Sequence, residues 1–548
     1  MSDQADVEQL MDDYAAHDIK FGGVNIDSTW ATQYNNFEVN SEKFSDFQGL
    51  VSSIHKAGKR VILWATSFVN VENPDFQEAA DKKYLVRDKF GKARPLKWWH
   101  GEGALVDYTN PEAVKWWHSL MDRVLKLGDG DGVDGFKCDA SDPYILEYMV
   151  AGEALGYNDV PYEGYHQYAD LYYGDFFNYT REVRGEAGLI MSRPVDCVLR
   201  DKVARVCLGQ SPKFVMTSGW VGDDNADMRG LRGCARKVIY SAWDGYGSYG
   251  CDIGGYRAQQ LSPEDTKEYF LRSAQLNAFL PLMENGGAGE HRPWMINGGD
   301  DEITAVYRDL VNHHTRLAPL HLTLGSYALE KQTSVIKPLA KNEKSPHARD
   351  GYRPYAEPKT FAYTIGNDIL VHPVLSGLMA HENETLASVV DIEFPGDASV
   401  TWLDWFNPAV SKFAQTGGSS LRRLVPVSEI PVYVRKNAMM PLLEESTVTF
   451  TWFAPEYSTD TLKAEMREPA EAGPGLVAEG VWTSKSSVQV SISAHGGPVA
   501  LSLPAVAKPS KVSVSEGVPC VDTYTLHSQT LNILCDDNSR GVVMTVIF

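Results

Sequence analysis

From about residue 5 to residue 325, short apolar runs alternate with stretches of helical period. Phe21–Asp27 reads as a strand, 42–57 as a helix stopped at Gly58, and Arg60–Ala65 as the next strand. Asn110-Pro111 opens a strong helix, PEAVKWWHSLMDRVLKL, with proline at the favoured first position. Val133–Cys138, Leu189–Ser192, Phe214–Thr217 and Gly247–Cys251 read as further short strands, with helices near 166–183 and 226–243. A helix over 262–276 leads to a last strand near Phe279–Met283. Strands alternating with helices at this spacing predict a parallel α/β barrel. After about residue 365 the period changes to two. Runs such as Ile369–Pro373, Val390–Phe394, Val400–Leu403, Ile430–Val434, Thr447–Phe453, Ser487–Ile492, Val499–Leu503, Lys511–Val514, Leu531–Leu534 and Val542–Phe548 predict two C-terminal β-sandwich domains. The Pro/Gly/Ala-rich stretch 466–480 reads as a loop. The expected division is a barrel over 1–325, a proximal sandwich over 326–442 and a distal one over 443–548.

Composition narrows the function. A net charge of −21 argues against nucleic acid and anionic membrane surfaces as partners. No apolar run approaches the ~20 residues of a membrane span. The N-terminus MSDQADVEQLMDDYAAHD lacks the basic and apolar regions of a secretory signal. As the sequence stands it reads as cytoplasmic, and the sequons at Asn178 and Asn383 read as chance matches. The seven cysteines are scattered, odd in number and show no CxxC, so neither a disulfide framework nor a zinc site is expected. Aromatic residues are plentiful (13 Trp, 26 Tyr, 20 Phe), and aromatic faces are what sugar rings stack on.

The chemistry concentrates in GVDGFKCDASDP. It delivers Asp139 at the C-terminal end of a buried strand, where parallel barrels keep their active sites. A second strand-end carboxylate follows in SGWVGDDNAD, at Asp223 or its neighbour Asp224. Two such carboxylates are what glycosidic bond cleavage requires. Lys137, two residues before Asp139, shares its face of the strand. Read on spacing alone, Asp139 is equally a helix N-cap before Asp142-Pro143.

The motifs, in order, are Phe-Lys-Cys-Asp139, Trp220-Val-Gly-Asp223, Gly250-Cys-Asp-Ile-Gly-Gly-Tyr256, Gly366-Asn-Asp-Ile-Leu-Val371, Trp402-Leu-Asp-Trp405 and Ile430-Pro-Val-Tyr-Val-Arg-Lys-Asn437. From about residue 20 to residue 442 the chain resembles the α-glycosidases of glycoside hydrolase family 31. The resemblance implies a retaining enzyme that hydrolyses terminal α-linked sugars. Asp139 would be the nucleophile and Asp223 the acid/base, without metal or organic cofactor. It also implies sugar contacts from Asp27, Trp64, Trp98 or its neighbour Trp99, Arg193, Trp220 and Asp252. For Asp27 the competing role is another helix cap, and for Arg193 a structural ion pair.

Two features depart from the family pattern. Many relatives carry a histidine where this chain has Asn285, and His291 in the same loop is the candidate substitute. The Lys-Cys-Asp flavour of the nucleophile motif also differs from that of typical α-glucosidases. Glucoside, galactoside, xyloside or another axially linked sugar therefore stays open. The chain also begins with what reads as the helix after the first barrel strand, so the barrel is expected to be N-terminally incomplete. That leaves self-association open and makes a catalytically impaired carbohydrate- or partner-binding homologue the alternative. A transglycosylase would use the same carboxylates.

Overall fold

A computed structural model describes all residues except 1, 29, 129, 140–153, 201–203, 342–356, 378–386, 411–413, 468–474, 495–496, 516–517 and 527. The chain divides into two compact units. The first holds Met1–Gly222 and Asp244–Gly250; the second holds Asp223–Trp243, Cys251–Lys341 and Glu357–Phe548.

The first unit is built on a five-stranded sheet. Its order is Gly23–Ile26, Arg60–Ala65, Gly135–Cys138, Leu189–Ser192, Ser218–Gly219, and every neighbouring pair is parallel. Strands covered on both faces carry continuous apolar runs, as Arg60–Ala65 does beyond its first residue. Helices Gln4–Ala16, Phe47–Lys56, Pro111–Leu125 and Tyr165–Arg184 follow or flank these strands. Their starts are set locally: Asp46 accepts from the Gly49 N–H at 3.0 Å, and Asn110 accepts from the Glu112 N–H at 3.0 Å ahead of Pro111. Trp117, Phe136, Tyr172 and Phe176 lie in the buried core between sheet and helices.

Two insertions extend the first unit. A three-stranded antiparallel sheet, Phe68–Asn70, Leu96–Trp98 and Gly101–Leu105, follows Arg60–Ala65. A hairpin, Val195–Arg200 with Ala204–Gly209, follows Leu189–Ser192.

The second unit contains helices Met228–Asp244, Pro263–Ala278, Asp301–Arg316 and Ala318–Lys331, and the parallel pair Asp252–Ile253 with Glu284–Asn285. Its β part has a six-stranded sheet with a two-stranded one, then two five-stranded sheets that share one core around Phe450, Trp452, Val490, Leu501, Ile533 and Met544.

Several expectations need correcting. Phe214–Thr217 is no strand: Lys213–Val215 forms a 3₁₀ turn behind Pro212, and pairing begins at Ser218. Phe279–Met283 is no strand either. Phe279 caps helix Pro263–Ala278, and pairing begins at Glu284, beyond Pro281, which has no N–H to give a ladder. The stretch 466–480 is not a loop throughout, because Leu476–Ser484 is a nine-residue strand. Three disulfides form against expectation: Cys197–Cys207, Cys234–Cys251 and Cys520–Cys535. The first and last join residues directly opposite each other in hairpins, so strand register brings together cysteines whose spacing in sequence is uninformative. Cys138 stays a buried thiol, and burial pushes its ionisation well up. The sequon at Asn383 lies outside the described residues.

Candidate active site

In the first unit, Asp139 stands at the mouth of the sheet. Its N–H continues the ladder to the Ala65 carbonyl at 2.8 Å. Its carbonyl accepts from the Tyr172 hydroxyl at 2.9 Å. The carboxylate itself is held from neighbouring strands. Trp64 Nε1 donates to Oδ2 at 3.2 Å, while Arg193 Nε and Nη2 donate to Oδ1 at 2.9 and 2.6 Å. Three N–H donors on one carboxyl group suit the ionised, acceptor-only form. These partners are long-range side chains from the ends of two other strands. Residues 140–153, where the local cap reading would be decided, lie outside the described residues.

Several of the residues read as sugar contacts lie in the same unit. Lys137 is buried, with Nζ 4.6 Å above the Trp220 ring and 3.9 Å from Asp27 Oδ2. The Arg193 guanidinium lies 4.7 Å from the same ring. Two cations on one buried indole fix its orientation. Asp27 keeps 43% of its side chain exposed, and its Oδ1 accepts from the Ser28 N–H. The tryptophan pair divides. Trp98 is buried, stacked on Phe68 with centroids 4.9 Å apart, and donates to Asn70 Oδ1. Trp99 is 55% exposed, edge-on to Trp64 at 5.9 Å and to Tyr34 at 5.4 Å. It is Trp99 that offers a ring to solvent. The sequence reading also passed over Asp196, which accepts from Arg193 Nη1 and is buried. An Arg-x-x-Asp step across Pro194 was the available signal.

In the second unit, the adjacent pair Asp223-Asp224 separates by environment. Asp224 is buried and ion-paired at 2.9 Å with Lys237, itself 1% exposed. That pair belongs to the packing of helix Met228–Asp244. Asp223 is 26% exposed, and Arg257 approaches its Oδ2 at 3.7 Å while donating to its carbonyl at 2.9 Å. Of the two, Asp223 is the carboxyl group open to a substrate. Asp252 is buried on the strand that pairs with Glu284–Asn285. Burial, and then the negative charges of Asp224, Asp252 and Asp227, drive the Tyr269 hydroxyl's ionisation upward. Asn285 Nδ2 donates to the His291 carbonyl at 2.8 Å. The His291 ring nitrogens face the carbonyls of Ile253 at 2.9 Å and Ala288 at 3.2 Å. Gly254 leaves room for that ring: a Cβ there would sit 2.6 Å from Nδ1, on a backbone with φ of +83°. Among the described residues no group of three or more His, Cys, Asp or Glu could hold a metal ion, and no helix is long and apolar enough to cross a membrane.

The model of the family 31 glycosyl hydrolase TIM-barrel domain matches residues 1–324. The chain belongs to glycoside hydrolase family 31. The family's C-terminal domain matches residues 337–440. The fold is thus the family 31 barrel followed by β domains. Among curated relatives, the mouse (Mus musculus) myogenesis-regulating glycosidase is 26% identical over 386 residues, covering 68% of this chain and 48% of its own. An isomaltosyltransferase of Sporosarcina globispora is 22% identical over 424 residues, covering 73% and 34%. A family 31 dextranase of Flavobacterium johnsoniae, solved with glucose, superposes with a TM-score of 0.76 at 17% identity, covering all of this chain and 69% of its own. The chain spans about half or less of the length of these curated relatives.

Proposed function

We propose that this protein is a retaining α-glycosidase acting on terminal α-linked sugars, with Asp139 as nucleophile and Asp223 as acid/base. The observation that carries this is the setting of Asp139: a strand-end carboxylate held by Trp64 and Arg193 and still 18% exposed. In the first step an Asp139 oxygen attacks the anomeric carbon. The bond to the leaving oxygen breaks, and that oxygen takes the proton of Asp223. In the second step Asp223 takes a proton from water, the water oxygen bonds to the anomeric carbon, and Asp139 departs with its electron pair. Such enzymes hold the two carboxyl groups ~5–5.5 Å apart, and the chemistry draws on them alone.

The sugar-binding residues would be Asp27, Trp64, Lys137, Arg193, Trp220, Asp252, Asn285 and His291. Trp98 would back the exposed Trp99. The chain would divide into a catalytic barrel over 1–325, a proximal sandwich over 326–442 and a distal one over 443–548. Transfer to a sugar acceptor instead of water is the second reading, favoured by the transferase among the relatives.

The test is a panel of p-nitrophenyl α-glycosides (glucoside, galactoside, xyloside, N-acetylgalactosaminide), with Asp139→Ala as control. Release from one sugar, abolished in the variant, is expected, and products formed with added sugar acceptor separate hydrolysis from transfer. Equal release by parent and variant would overturn the assignment.

A further inference from the structure

We propose that Asp196 is a positioning residue for the nucleophile, acting through Arg193; this rests on the reading of Asp139 given above. A guanidinium presents its donors in a rigid planar fork. Here one edge of the fork, Nε and Nη2, is on Asp139 Oδ1, and Nη1 is on Asp196 Oδ2. One ring face of Trp220 lies 4.7 Å from its centre. Arg193 is therefore clamped between two carboxylates and an indole, with no freedom to rotate away from Asp139.

The surroundings build Asp196 for that task. It is 6% exposed, and its Oδ1 accepts from the Cys197 N–H at 2.6 Å. A buried carboxylate is costly unless it is paired, and Arg193 is the pair. The hairpin fixes its height: Asp196 stands opposite Leu208, and the next rung, Cys197 with Cys207, is a disulfide. The ion pair in turn packs flat against Gly222, whose φ is +82°. A Cβ there would collide with both Asp196 Oδ2 and Arg193 Nη1. That explains the glycine in the Trp-x-Gly-Asp motif by steric need.

The electrostatic consequence is specific. Arg193 bonded to Asp139 alone would place a whole positive charge against the carboxylate that must attack the anomeric carbon. With Asp196 on its far side, the arginine orients the carboxylate while its charge is offset. Among the described residues, charged and titratable groups near Asp139 include Lys137, whose Nζ is 3.9 Å from Asp27 Oδ2, the Tyr172 hydroxyl on the Asp139 carbonyl, and the Cys138 thiol next in sequence.

The experiment compares the full chain with Asp196→Asn, Asp196→Glu and Asp139→Ala on the aryl α-glycoside the parent turns over, with melting temperature as the folding control. Misplacing a catalytic group by ~1 Å costs about 100-fold, so Asp196→Asn is expected to lower kcat about 10- to 100-fold with KM nearly unchanged. Its acid limb of kcat/KM should move to lower pH, because removing a negative charge leaves Asp139 facing Arg193 uncompensated. Asp196→Glu should return the limb towards the parent's position. A folded Asp196→Asn with the parent's kcat and acid limb would overturn the proposal, as would a loss of rate that leaves the limb in place. In that case an inactive Asp139→Ala would show that the nucleophile reading survives. An active Asp139→Ala, or a parent that turns over no glycoside, would sink both.

Discussion

Two neighbouring carboxyl groups, Asp223 and Asp224, differ in environment where sequence alone leaves them equivalent. Asp224 is bonded to the buried Lys237 amine; Asp223 is not so enclosed. Asp224→Asn would leave a buried ammonium without its counter-charge, which costs about 3–5 kcal/mol. It should lower the melting temperature while the remaining folded protein keeps its turnover. Asp223→Asn should do the reverse. Its melting temperature should stay near the parent's, and kcat on a glycoside with a poor leaving group should fall by about 10²–10⁴. Thermal denaturation and steady-state assays on both variants check this, and swapped phenotypes would exchange the two roles. The strand-end position of Asp139 was legible from the buried apolar run it closes, but spacing alone left a helix N-cap equally open, and the nucleophile reading came from the ordered motifs. Asp196 and the exposure of Trp99 were not legible. Both depend on insertions, a hairpin and a small antiparallel sheet, whose pairing partners no local period reveals.

At the scale of elements, helix starts were readable and strand starts less so. Asn110-Pro111 states its own helix boundary through one side-chain cap and one missing N–H. The apolar stretches around Phe214 and Phe279 read as strands from composition alone, although Phe214 is about half exposed while Phe279 is buried. The first is a 3₁₀ turn and the second a helix end close to a proline. Helix Pro263–Ala278 is buried along its last eleven residues, so its period is lost in uniform burial. Arg272 in that helix donates to the carbonyls of Glu429 and Val425 at 2.7 and 3.1 Å and to Gln275 Oε1 at 3.0 Å. Burial lowers its ionisation to about 10. Arg272→Ala would strand the carbonyl of the buried Val425, at about 1–3 kcal/mol, and would remove the part-buried bond to Glu429. Arg272→Lys should rescue little, since one ammonium cannot reproduce the planar fork. Chemical denaturation of the three proteins tests this, and a lysine variant as stable as the parent would contradict it.

Across the whole molecule, the charge of −21 gives an acidic surface, and buried histidines make the second unit sensitive to acid. Burial lowers His313, His314 and His372 to about 4 and His321 to about 3. Trp405 Nε1 approaches His313 Nδ1 at 3.4 Å, a contact that needs the neutral ring. An unfolded histidine takes its proton near pH 6.5, a folded one here only near 3–4. Between these values the unfolded state binds more protons, so stability falls as pH drops from about 6.5 towards 4. Each histidine can contribute up to about 1.4 kcal/mol per pH unit crossed. Calorimetry from pH 7 to pH 4 should show a steadily falling melting temperature. His321→Phe should flatten that slope. A flat profile in the parent would contradict the burial argument.

The central claim is that Asp139 attacks the anomeric carbon. The most direct measurement is to trap the glycosyl-enzyme with a 5-fluoro-α-glycosyl fluoride of the sugar the protein accepts, then digest it and sequence the labelled peptide by mass spectrometry. A fluoroglycosyl increment on Asp139, absent from Asp139→Ala, is the predicted result. A label on any other residue, or turnover of the reagent with no covalent species while the product anomer is inverted, would contradict it.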